Sequence, residues 1–163
     1  MKQAILNRFL VHRAALQRYI RRLTGQKELA EDLTQEVFLR ITRGVDRLEG
    51  LGRDRAYLYR IARNLYMDDH RRRTRHPEDG GDSAELQLPS RGGSAYLHVS
   101  LDQAISRLPE PEREAFLLRE VGGLGYGEIC GVTGGTEDAV RSRIFRARVA
   151  LRDMLGTSKE TLQ

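Results

Sequence analysis

Arg141, Ser142, Phe145, Arg146 and Arg148 lie in one short stretch near the end of the chain. At helical spacing they form a basic surface that carries a single aromatic ring. Guanidinium groups pair with phosphates and bidentately with guanine edges, hydroxyls bond either, and a ring packs on a thymine methyl. That is the chemistry of reading a DNA groove. A run of arginines on a helix is more often a solvated face, so the elements around the run have to decide.

Those elements point the same way. Thr136 suits a helix cap, with Glu137 and Asp138 favourable in the first turn. Val140, Ile144, Ala147 and Leu151 then recur at spacings of three and four, an apolar stripe that faces a core and turns the arginines outward. Before it, Tyr126 to Val132 reads as a short helix with Ile129 and Val132 inward, and Gly134-Gly135 supplies a tight turn. Helix, glycine turn and basic helix in this order predict a helix-turn-helix, whose second helix enters the major groove. Gly127 and Gly131 each cost the first helix about 1 kcal/mol relative to alanine, which predicts a weakly stable element.

LREVGGLGYGEICGVTGG followed by TEDAVRSRIFRARVALRDML resembles the promoter-reading end of bacterial extracytoplasmic-function (ECF) sigma factors, the small specificity subunits of RNA polymerase. The AVRSRIFRAR core is most similar to the envelope-stress type. Two earlier stretches, AEDLTQEVFLRI (30–41) and AYLYRIARNLYMDDHRRR (56–73), resemble the polymerase-binding and promoter-melting segments of the same family. The resemblance implies that Asp32, Gln35 and Glu36 grip the clamp helices of the polymerase largest subunit. It implies that Arg47, Arg53, Tyr57, Arg60, Arg63 and Asn64 handle the minus-ten element, and that Thr136, Arg141, Ser142, Phe145, Arg146 and Arg148 meet the minus-thirty-five element. Core RNA polymerase, promoter DNA and, as is common in the family, a cognate anti-sigma factor are the implied partners. The sequence departs from the family at Tyr57, where tryptophan is common, and at Asp54, where an aromatic usually packs. Thr133 and Gly135 replace apolar residues that usually close the turn.

Read in order, the chain predicts an all-α protein of two small helical domains. Ile5, Phe9, Leu16, Ile20 and Leu23 mark a first helix from Gln3 to Leu23, ended by Gly25. Leu29, Leu33, Val37 and Ile41 mark a second, Glu28 to Arg43, ended by Gly44. A loop carrying Arg47 and Arg53 follows. Asp54 caps a third helix, Arg55 to about Arg73, with Leu58, Ile61, Ala62 and Leu65 inward. This first domain spans 1–75. His76 to Ser94 holds proline, glycine and scattered acids without a period, so 76–99 is expected to be a flexible linker and the first place a protease cuts. The second domain, 100–156, opens on a Ser100–Gln103 capping box and continues through Pro111, with Glu112 and Glu114 favouring the positive end of a helix that runs to Val121. Residues 157–163 form a tail.

Composition bounds the function classes. The 163 residues carry a net charge of +5 with a pI near 9.7, which favours an anionic partner. The N-terminal helix is interrupted by charge every few residues, so neither membrane insertion nor a signal peptide is expected, and cytoplasmic residence follows. Cys130, the only cysteine, excludes an internal disulfide and reads as a small core residue. Asp68, Asp69 and His70 are adjacent on a helix and diverge, the other histidines have no paired spacing, and Gly122 to Gly127 follows a helix instead of a strand. No enzyme active site, metal or cofactor is expected. Two rival readings share part of these residues: a stand-alone helix-turn-helix regulator with a helical dimerisation domain, which leaves the first-half motifs unexplained, and a helical nuclease using Glu36, Asp68 and Asp69 with a metal.

Overall fold

The computed structural model describes residues 2–43, 54–75 and 101–160. Arg47, Arg53, the predicted linker and the Ser100 cap lie outside the described residues. Helix α1 (Lys2–Thr24) ends where Gly25 takes a φ of 73°, donating its amide to Arg21 O at 2.8 Å. The Thr24 hydroxyl donates back to Ile20 O at 2.8 Å and accepts the Gln26 amide at 3.1 Å, so the chain reverses at once into α2 (Lys27–Arg43). Phe9, Leu16, Ile20 and Leu23 share a core with Leu33, Val37 and Ile41, and the Phe9 and Phe38 rings lie 5.2 Å apart.

Helix α3 (Asp54–Arg75) completes the first half. Leu58, Ala62 and Leu65 are buried as their spacing predicts, whereas Ile61 is only half-buried and Tyr59 and Tyr66 take inward places instead. The reason is that α3 is covered on two sides: by α1 and α2, and by the second half of the chain.

That second half holds α4 (described over 101–106), α5 (Glu110–Glu120), α6 (Tyr126–Thr133) and α7 (Glu137–Glu160). Pro111 sits in the first turn of α5, where its missing N–H costs nothing. Helix α6 is closed at its start by Glu128, whose Oε1 accepts the Gly125 amide at 3.1 Å. Its end is set by Gly134 and Gly135, at φ 83° and 88°, a conformation that side chains with a Cβ resist. The Thr136 hydroxyl then accepts the Ala139 amide at 3.1 Å and caps α7. Ile129, Val132, Val140, Ile144, Ala147 and Leu151 close the core between α5, α6 and α7.

Gly131 lies on the exposed side of α6 without a positive φ, and a Cβ added there meets nothing within 4 Å. Gly131→Ala should therefore stabilise the protein by about 0.5–1 kcal/mol, read as a rise of a few degrees in the thermal midpoint. A lower midpoint would show that α6 needs glycine there for packing.

The two halves are in contact along a seam formed by α1 and α3 on one side and α5 and α6 on the other. Tyr19 and Tyr59 meet edge to face at 5.1 Å, both buried, and burial pushes the Tyr59 hydroxyl up to about 12. The tip of the Tyr59 ring abuts Gly122: a Cβ there would stand 3.2 Å from its Cζ and 2.6 Å from the Leu118 carbonyl. Among the described residues three ion pairs join the two halves, Arg22–Asp102 (3.7 Å) from α1 to α4, Arg55–Glu128 (3.5 Å) and Arg63–Glu114. In each, the cation belongs to the first half and the acid to the second.

Candidate nucleic-acid interface

The outward face of α7 is set by what its other face buries. Val140 and Ala147 are fully buried and Ile144 and Leu151 nearly so, whereas Phe145 is 68% exposed. Such a ring is held in water only because its helix is anchored elsewhere. Arg141 and Ser142 lie exposed one turn before it. Arg146 and Arg148 are also exposed, but each donates to an acid of α5: Arg146 Nε to Glu112 Oε1 at 3.1 Å, and Arg148 to Glu120 Oε1 at 2.8 Å. Surface pairs of this kind contribute little to stability and exchange readily for phosphate. Thr136 serves as the cap, at the end of α7 from which Arg141 and Ser142 project.

Arg141 is held differently. Its guanidinium carbon stands 5.1 Å from the centroid of the Tyr126 ring, and that of Arg119 stands 4.9 Å from the same centroid. Arg119 is tied in turn to the Leu124 carbonyl at 2.9 Å. Neither Tyr126 nor Arg119 was singled out from sequence, because the stack joins residues of three helices with no common period.

On α3, Arg60 and Asn64 are exposed one turn apart and Tyr57 is half-buried beside them. Arg63 faces the seam instead, with its side chain 21% exposed against Glu114 at 11%. Burial holds the Glu114 carboxyl above its ordinary range, while the hydrogen bond and charge of Arg63 pull it back down. Of the predicted minus-ten set, the described structure thus leaves Arg60, Asn64 and part of Tyr57 open and engages Arg63 internally.

On α2, Asp32 and Gln35 are exposed and Glu36 is half-buried, all clear of the buried Leu33, Val37 and Ile41. The Glu36 carboxylate accepts from Arg40 at 3.5 Å. Gln35 also lines a groove of about 530 Å³ between α1 and α2, with Phe9, Arg13, Glu31 and Phe38. Asp69 accepts from Arg72 and Arg73 at 3.1 and 2.9 Å, and among the described residues no group of three or more acids, histidines or cysteines is placed to hold a metal. No described helix is long and apolar enough to cross a membrane.

Comparison with known proteins matches residues 9–76 to sigma-70 region 2 and residues 98–151 to sigma-70 region 4. The chain is 32% identical over 136 residues to the ECF RNA polymerase sigma factor EcfG of Rhodopseudomonas palustris (strain TIE-1), covering 82% of this chain and 75% of that one. It is 35% identical over 136 residues to the ECF RNA polymerase sigma-E factor of Escherichia coli (strain K12), covering 74% and 70%. Its fold is similar to that of the sigma factor RpoE from Bartonella quintana, solved in complex with the anti-sigma factor NepR. That match has a TM-score of 0.82 at 25% identity over 94% of this chain and 98% of the other. With regions 2 and 4 matched in order and a helix-turn-helix presenting a basic, aromatic face, the chain belongs to the ECF family of RNA polymerase sigma factors and directs transcription initiation.

Proposed function

We propose that three surfaces divide the work of initiation. Asp32, Gln35 and Glu36 of α2 hold core RNA polymerase. Arg60, Asn64 and Tyr57 of α3, joined by Arg47 and Arg53, take the minus-ten element as it melts, with cations along phosphates and the ring beside an unstacked base. Arg141, Ser142, Phe145 and Arg146 of α7 read the minus-thirty-five element, while Arg148 meets phosphate. Arg63 joins the minus-ten set once it leaves Glu114. The observation that carries this reading is the two-sidedness of α7, with Ile144 buried and Phe145 in water. The chain does no catalysis; nucleotide addition is the polymerase's, in the cytoplasm where polymerase and DNA meet. That the Bartonella relative was solved with an anti-sigma factor supports such a partner here. The resemblance of the AVRSRIFRAR core supports an envelope-stress type of recognition helix.

The test is binding and transcription with purified core polymerase. Replacing Asp32 and Gln35 together by alanine should leave helicity and melting nearly unchanged, because neither is buried. It should weaken core binding about tenfold or more, as expected for central polar contacts of an interface. Unchanged affinity would remove α2 as the polymerase-binding surface. Failure of the wild-type chain to support promoter-dependent transcription would overturn the whole assignment.

A further inference from the structure

We propose that Tyr126 is a positioning residue for promoter reading: with the guanidinium carbons of Arg119 and Arg141 both over its ring, it fixes the guanidinium of Arg141 in the pose from which that residue reads a base. The proposal rests on α7 being the reading helix. Tyr126 opens α6, across the Gly134–Gly135 turn from Arg141 on α7, and both arginine carbons lie within cation–π reach of its ring, at 4.9 and 5.1 Å. Arg119 is itself tied to the Leu124 carbonyl at 2.9 Å, so the cluster is anchored to the turn before α6.

The geometry differs from that of the neighbouring arginines in a way that matters for recognition. Arg146 and Arg148 are held through their N–H donors by Glu112 and Glu120. Each pair commits one nitrogen of the guanidinium and draws the side chain toward α5, so the arginine must swing away from its acid to present its fork squarely to a base. A guanidinium stacked on a ring is held by its face, and its N–H groups lie at the edge, free for the O6 and N7 of guanine. An arginine on an exposed helix otherwise samples many rotamers, and freezing them on binding weakens the contact. Holding Arg141 over the Tyr126 ring removes part of that cost before DNA arrives. One exposed cation–π contact corresponds to about a two- to fivefold change in an equilibrium, and this sets the size of the expected effect.

The probe is a duplex library randomised across the upstream element and joined to a fixed, pre-melted minus-ten region. The full chain on core polymerase selects from it, and sequencing gives the base preference at each position. Arg141→Ala should flatten the preference at one or two positions. Tyr126→Leu, which keeps apolar bulk and loses the ring face, should flatten those same positions about two- to fivefold and leave the positions read by Phe145 and Arg146 intact. Tyr126→Phe should retain the wild-type preference, and in the Arg141→Ala background Tyr126→Leu should flatten nothing further. Tyr126→Leu overturns the proposal if it leaves the Arg141-dependent positions sharp, and equally if it flattens every position alike, the mark of a purely structural role. If Tyr126→Leu does not fold, Arg119→Met decides, since removing the cation that holds the Tyr126 ring should blur the same positions, and no effect there refutes the positioning role. An Arg141→Ala variant with wild-type preferences would refute the assignment of Arg141 as a base reader; an Arg141 effect without a Tyr126 effect refutes only the positioning role.

Discussion

Ile144→Ala should destabilise the protein by about 2–5 kcal/mol, while Phe145→Ala, one residue on, should change stability by less than about 0.5 kcal/mol. The two side chains are both large and apolar and sit on the same helix, yet Ile144 is 1% exposed and Phe145 68%. Ile144 lies in the common core with Ile129, Val132, Val140, Ala147 and Leu151, so its truncation loses burial and leaves a cavity under α7. Phe145 has little burial to lose. Its effect should be seen on DNA, as a loss of discrimination at a thymine of the upstream element, up to the roughly 1–3 kcal/mol that a mismatched base pair costs. Urea denaturation followed by circular dichroism reads the first quantity, and matched against mismatched duplex binding at fixed salt reads the second. If Phe145→Ala melted the protein as Ile144→Ala does, the ring would belong to the core and the reading face of α7 would have to be redrawn.

Arg63→Ala should cost about 3 kcal/mol, since truncating one member of a mostly buried ion pair leaves the other charge without compensation. Glu114→Gln should cost less, because an amide oxygen still accepts from Arg63. Replacing both residues by apolar side chains of similar volume should recover much of the loss. The pH dependence gives a sharper check. Burial raises the Glu114 carboxyl and Arg63 opposes that rise, so removing Arg63 should lift it further. Between the ordinary carboxylate range and the raised native value the folded protein binds more protons than the unfolded chain. Stability therefore falls as pH rises through that window and returns on acidification. The deficit of Arg63→Ala relative to wild type should thus shrink from pH 7 toward pH 5 in thermal unfolding. A deficit that grew on acidification would mean that Glu114 stays ionised and finds another cation.

The parts of this structure that were legible in the sequence are those encoded by local periodicity. Leu33, Val37 and Ile41 announce the inner face of α2, Gly25 ends α1 with the left-handed turn expected of it, and Thr136 caps α7 where its hydroxyl predicts. The exposed face of α7 follows from the same arithmetic, because a helix that buries Val140, Ile144, Ala147 and Leu151 has one direction left in which to point Phe145. The seam was not legible. Arg63 and Glu114 are 51 residues apart, and Glu114 just after Pro111 already has a sufficient local explanation in the helix dipole. Tyr59 and Tyr66 escaped the core list because a phenol fits a surface as well as an interior, and only the second covering layer on α3 decides between them. The cation–π cluster on Tyr126 escaped as well, being assembled from three helices.

The seam also has a length. By their numbering the two promoter elements lie about 25 base pairs apart, which at about 3.4 Å per step is roughly 85 Å of duplex. A compact chain of this size has a radius of gyration of about 15 Å. With Tyr59 against Gly122 and Arg63 on Glu114, α3 and α7 ride on one body too short to touch both elements at once. The packed protein is a ruler folded shut, able to rest on one mark or the other. On the proposed division of labour, spanning a promoter requires parting the halves; among the described residues that breaks three ion pairs, and each returns an arginine to the half proposed to meet the melted strand.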